Sequence, residues 1–165
     1  MIVLGYIGDH KKDTLSVRLG WWLTRWAQSG AYKQVTHTES VLDGDSYKRC
    51  TIASSSARDG GVRQKQITPE FHLTKGHWKA INVPTWNESL AKQWFDEHEG
   101  LGYDWHGAVG SIVPFIHSKQ NKWFCNEATG APFIQTPEQY PPSKFWALAL
   151  SMPNAHDITD KFFSD

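Results

Sequence analysis

Only two cysteines, Cys50 and Cys125, occur in these 165 residues. Two thiols cannot build a disulfide framework, and their wide separation matches no zinc-ligand spacing. Neither sign of charge is in excess, since Lys plus Arg and Asp plus Glu both number 17. Without a net or clustered positive charge the electrostatic drive that holds nucleic acid is missing, so no such partner is expected. No apolar run approaches the roughly 20 residues that span a bilayer, which predicts no membrane segment. The opening Met1-Ile2-Val3-Leu4-Gly5-Tyr6-Ile7 has no basic leader and gives way at once to Gly8-Asp9-His10. It reads as a strand and predicts synthesis in the cytoplasm without a signal peptide. Eight histidines are present, but there is no HExxH pair. A Gly-rich loop with its lysine is also missing, and Ser54-Ser55-Ser56 lacks the glycine frame of a nucleophile elbow. Metal, phosphate-loop and serine-hydrolase chemistries lose their support, and neither a metal site nor a cofactor is expected.

What the chain does have is enough apolar residue for a core. Hydrophobic residues make up 39% and charged ones 21%, which suits one folded domain over residues 1–165. Nine tryptophans suit core and rim packing, with a binding groove as the alternative. A strand is expected over 2–7, then a helix over 14–28 capped by Asp13. Leu15, Leu19, Trp22, Leu23 and Trp26 fall on its inner face, and Trp21 lies out of pattern. Two β-leaning runs, 35–42 and 47–54, flank Asp43-Gly44-Asp45-Ser46 and predict a hairpin. Pairing Leu42 with Tyr47 sets His37 opposite Ile52 and Glu39 opposite Cys50, with Ser54 diagonal to His37. Arg58-Asp59-Gly60-Gly61 predicts a turn, 62–67 and 77–83 strands, and 87–99 a helix with Leu90, Trp94 and His98 inward. Residues 102–107 read as a loop, followed by an apolar, Gly- and Pro-broken segment to Phe115. A helix begins at Cys125, a proline-rich connection covers 137–143, and short helices are expected over 143–151 and from Asp157 to Phe163.

Cysteine and histidine remain as candidate chemistry. In Trp123-Phe124-Cys125-Asn126-Glu127 an apolar pair runs into a thiol that could start a helix, where the positive end of the dipole favours a thiolate. Packing in a core is the plainer role for such a residue, and it is the role expected of Cys50. A thiol becomes an effective nucleophile when an imidazole takes its proton and a third group fixes the ring. His37 has Glu39 two residues away on the same strand face and Ser54 on the next strand.

The ordered pieces Tyr32-Lys33-Gln34-Val35-Thr36-His37, Gly100-Leu101-Gly102-Tyr103-Asp104 and Phe124-Cys125-Asn126-Glu127 resemble the circularly permuted NlpC-type cysteine peptidases, notably the YiiX-like group. Tyr103-Asp104-Trp105-His106-Gly107 is also similar to a motif that precedes the nucleophile in unpermuted members. The likeness spans about residues 1–130 in element order, and small phage-encoded members look similar overall. It implies an α+β, permuted papain-like fold: an antiparallel sheet packed against helices, with the catalytic Cys at a helix N-terminus. It further implies Cys125 as nucleophile and His37 as base. Glu39 is taken as the orienting group, with Ser54 as the alternative third member. The Cys125 N–H and the Tyr103 hydroxyl would hold the oxyanion. Asn126 stands where the family commonly has serine and is placed with Tyr103 at the substrate-binding positions.

The function so implied is hydrolysis of peptide-type amides, in small peptides or peptidoglycan stem peptides, through an acyl-enzyme. Arg58 and Arg63 could grip a substrate carboxylate. Relatives of this arrangement include lipid acyltransferases and thioesterases, for which Trp21, Trp22 and Trp26 could border an acyl groove. A non-catalytic, partner-binding protein of a phage particle is the third reading, and delivery with a particle or lysis system is compatible with the absent leader.

Overall fold

The computed structural model describes residues 1–8, 18, 22, 25, 26, 28, 30–68, 73–111 and 119–164. Its centre is an eight-stranded, mostly antiparallel sheet curled into a half-barrel. In chain order the strands are β1 (Ile2–Tyr6), β2 (His37–Ser46), β3 (Arg49–Ser56), β4 (Gly61–Ile67), β5 (Trp78–Asn82), β6 (Gly102–Tyr103), β7 (Lys122–Trp123) and β8 (His156–Asp157). Across the sheet they run β7-β6-β4-β3-β2-β1-β5-β8, and β6 and β7 form the parallel pair. The helices are α1 (Glu88–His98), α2 (Trp105–Gly110), α3 (Cys125–Gly130), α4 (Pro142–Ser151) and α5 (Thr159–Phe162). The expected class, α+β with an antiparallel sheet and packed helices, describes this architecture. Among the described residues no helix is long and apolar enough to cross a membrane.

Alternation along the strands gives the sheet two apolar faces. On one, Leu4, Val41, Ile52, Cys50, Ile67 and Ala80 pack against Phe162 and Phe163 at the C-terminal end of the chain. On the other, Leu42, Ala53 and Val62 meet Ala91 and Phe95 of α1 and Ala128 of α3. Val3, Val35 and Ile81 are covered by Phe145, Trp146 and Ala149 of α4. Burying a phenylalanine such as Phe95 in this way is worth about 3–5 kcal/mol against alanine.

Four expectations need correction; residues 102–107, read as a loop, form β6 and the start of α2, capped by Asp104. The β2–β3 turn is Tyr47-Lys48, and Asp43 to Ser46 continue the strand through register shifts. Gly44 allows the irregularity: its φ is +87°, and a Cβ there would meet the Arg49 carbonyl and stand 2.9 Å from the Cys50 Cα. Ile52 consequently pairs with Val41 instead of His37. That slip is even, so the faces are unchanged and His37 and Glu39 still share one. In α1 the buried residues are Ala91 and Phe95, while Leu90 is 50% exposed. Asn87 caps the helix, and the small Ala91 shares the buried face with Phe95. Fourth, Trp22 and Trp26, expected inward, are helical but 54% and 75% exposed and stacked on each other. Most of the expected 14–28 helix, with its capping Asp13 and with Trp21, lies outside the described residues, as does the second half of the broken segment leading to Phe115.

Candidate active site

Cys125 is the first residue of α3, and Phe124 before it is the N-cap position that follows the short β7 at the sheet edge. A buried polar knot fixes that first turn. The Thr129 hydroxyl donates to the Cys125 carbonyl at 2.9 Å and accepts from the Thr38 hydroxyl at 3.4 Å. The Ser54 hydroxyl donates to the Thr38 carbonyl at 2.7 Å and lies 3.5 Å from the Cys125 carbonyl. Glu127 accepts the Phe124 N–H at 3.2 Å, satisfying a donor that the helix start leaves open. The thiol is only 5% exposed. It therefore stands at a set position against β2 and β3, where an unanchored helix end would fray.

His37 is the first residue of β2, paired with Tyr6 of β1. Nε2 lies 2.9 Å from Glu39 Oε1, and the Trp78 indole packs edgewise on the ring at 6.3 Å between centroids. Cys125 lies near the same ring, close enough for its charge to act on it. Burial pulls the imidazolium down, but the charge and hydrogen bond of Cys125, followed by those of Glu39, outweigh it and raise the pKa to about 9. The sheet and the late helix thus bring together two residues that are far apart in sequence.

Glu39 is almost fully buried and its carboxylate is fully engaged. Burial pushes its pKa up, yet the charge and hydrogen bonds of Arg63, then of His37, hold it well below the usual carboxylate range. Ser54 is not the ring's partner: its hydroxyl serves the knot under α3. Of the two alternatives, the ring has Glu39. Arg63 does not point out to a substrate either; it binds Glu39 and Asp59. Cys50 packs in the core below, where burial first, then the charges of Glu39 and Asp43, push its thiol up to about 12. That disfavours its thiolate and makes Cys50 a poor nucleophile.

Tyr103 lies on β6 beside β7, with Trp105 edgewise at 5.0 Å. Burial, then the charges of Cys125, Asp104 and Glu127, raise its phenol well above the ordinary range, so it keeps its proton and remains a donor near Cys125. Asn126 is differently engaged from the expectation. Its Oδ1 lies 3.4 Å from the Cys125 sulfur, which donates to it, and its Nδ2 donates to the Tyr140 carbonyl. With that donor taken and no exposure, Asn126 orients the thiol and ties α3 to the segment before α4. The reading of residue types missed Arg63's inward role and the Thr38–Ser54–Thr129 knot. Arg63 falls opposite Ser54 in the β3–β4 pairing; a correct register was the signal that would have placed it.

Among the described residues no three His, Cys, Asp or Glu side chains are grouped to hold a metal ion. No family model matches the chain, and no curated protein or solved structure matches it.

Proposed function

We propose that the protein is a thiol hydrolase of the permuted NlpC type, on a permuted papain-like fold, that cleaves peptide-type amides through an acyl-enzyme on Cys125. The observation that carries this is the imidazole of His37 hydrogen-bonded to the buried Glu39 carboxylate, with the Cys125 thiol at the start of α3 close enough to act on the same ring. With Nε2 directed at Glu39, Nδ1 is the ring nitrogen left to take the thiol proton. The thiolate attacks the substrate carbonyl carbon, the π pair moves onto oxygen, and the Tyr103 hydroxyl and the Cys125 N–H stabilise that oxyanion. The imidazolium gives its proton to the departing amine as the C–N bond breaks. Water then loses a proton to His37 and attacks the thioester, and the sulfur leaves as thiolate. Glu39 keeps the ring oriented and its charge balanced throughout. The resemblance points to small peptides or peptidoglycan stem peptides as substrates, and to a phage particle or lysis system as the setting.

A second reading, an acyltransferase or thioesterase on the same pair, is favoured by the exposed stacked indoles of Trp22 and Trp26, which suit an acyl chain. Peptide amides, esters and long-chain thioesters, each followed by acid quench and intact-mass measurement, separate the two. The expected result is turnover of amides and an acyl adduct on the Cys125 peptide, both lost in Cys125→Ala and His37→Gln. Turnover confined to long-chain thioesters would transfer the proposal to the second reading. No turnover and no adduct with any of the three would contradict both.

A further inference from the structure

Arg63 is held along both edges of its guanidinium. Nη1 donates to Glu39 Oε2 at 2.6 Å and Nη2 to Oε1 at 2.5 Å. Nε donates to Asp59 Oδ2 at 2.9 Å, and Lys65 Nζ donates to Asp59 Oδ1 at 2.6 Å. The Arg63 side chain is 14% exposed. A fork engaged in this way has no edge to offer a substrate carboxylate. A planar, two-point grip instead fixes the plane of the carboxylate it holds, which a lysine cannot do.

The geometry points to Arg63 as a positioning residue, whose fork aims Glu39 Oε1 at the His37 ring and keeps that carboxylate ionised while the pair passes its proton. The inference rests on His37 and Cys125 being the working pair. The groups facing Glu39 come from several elements: His37 on β2 itself, Arg63 from β4, Cys50 from β3, and Cys125 of α3 across the ring. Asp59 in the β3–β4 turn acts through Arg63, and Lys65 through Asp59. Of these, Arg63 and His37 are the cations that favour the charged form of Glu39. His37 changes charge during catalysis and Arg63 does not. Without Arg63 a nearly buried carboxylate would depend on a partner whose proton comes and goes, and it would protonate as the pH falls. The imidazolium would then lose its counter-charge, and His37 would become a weaker acceptor for the thiol proton.

Two variants test this: Arg63→Met, which keeps length without charge, and Arg63→Lys, which keeps charge without the fork. The first readout is the pH titration of the Glu39 side-chain carboxyl signal by NMR, assigned from its loss in Glu39→Gln. The second is the pH profile of Cys125 alkylation by iodoacetamide. In the native chain the carboxyl should stay ionised through the ordinary carboxylate range. In Arg63→Met it should titrate within or above that range, and below that point Cys125 alkylation should slow by about tenfold per pH unit relative to native. Arg63→Lys should restore the charge but only part of the alkylation rate. Coincident native and Arg63→Met profiles with Glu39 still ionised would overturn the inference. So would an equal loss at every pH that follows the loss of melting temperature, which is the mark of a structural role alone. If Arg63→Met does not fold, Asp59→Asn, which releases only the outer edge of the fork, should shift the Glu39 titration upward by a smaller amount; no shift would overturn it. Should native Cys125 react no faster than Cys50, the hydrolase reading fails, while the carboxyl titration still decides whether Arg63 governs Glu39.

Discussion

His37 holds its proton more tightly than an ordinary imidazole, and the strongest raising cause is the sulfur of Cys125. Its folded pKa of about 9 lies above the usual 6.5. The resulting stability is therefore complete below about 6.5 and is lost as pH rises through 9. Glu39 runs the other way: its folded pKa is depressed, so its contribution is complete above its usual 4.5 and fades as pH falls below that. Melting temperature should be highest between these limits. Cys125→Ala removes the strongest cause of the raised His37 pKa, so the gap between native and variant should be widest below about pH 6.5 and close as pH rises through about 9. A change of about 2–4 °C per kcal/mol is the expected scale. An equal gap at every pH would contradict the assignment of Cys125 as the neighbour that raises the ring's pKa. Ser54→Ala offers a contrast within the same site. It opens the knot under α3 and should cost about 1–3 kcal/mol in a denaturant melt, yet leave the pH profile of Cys125 alkylation in shape. Glu39→Gln should change that shape, and the reverse pattern would return Ser54 to the role of orienting group.

Elements with a strict period were legible in the sequence: β1, β4, β5, α4 and the start at Cys125 follow their hydrophobic runs and breakers within a residue or two. The hairpin was less so, because Asp43-Gly44 has the composition of a tight turn and here makes a bulge with the turn two residues later. Periodicity sees which face a residue takes, and that survived; it sees neither the register nor which side chain, Glu39 or Ser54, turns to meet His37. In α1 the small Ala91 carries the buried stripe, and no hydropathy pattern built on large residues finds it. Gly44 and Gly60 give a direct check on the bulge. Both have positive φ, +87° and +86°, but a Cβ at Gly60 meets nothing within 4 Å. Gly60→Ala should cost about 1 kcal/mol for the backbone alone, whereas Gly44→Ala should cost clearly more, since the Arg49 carbonyl and the Cys50 Cα must move. Equal losses in a urea melt would mean that the strand can drop its bulge.

At the scale of the molecule, the candidate site exists only once both sheet and α3 are in place. The imidazole comes from residue 37 and the sulfur from residue 125, and neither local segment contains the pair. This is why the residue types were legible and their contacts were not: a Cys-led helix and a histidine-led strand suggest chemistry, but their meeting depends on the order in which eight strands assemble. The same assembly makes the two cysteines unlike. Cys50 is enclosed by Phe162, Phe163 and the strands around Leu4, while Cys125 lies at a sheet end beside an imidazolium. The most direct test is the rate of iodoacetamide labelling at each cysteine across pH 5–9, read by peptide mass, in the native chain and in His37→Gln. The account predicts that native Cys125 reacts far faster than Cys50 near neutral pH and that His37→Gln abolishes the difference. Equal rates at the two thiols in the native chain, or an unchanged Cys125 rate without His37, would contradict it.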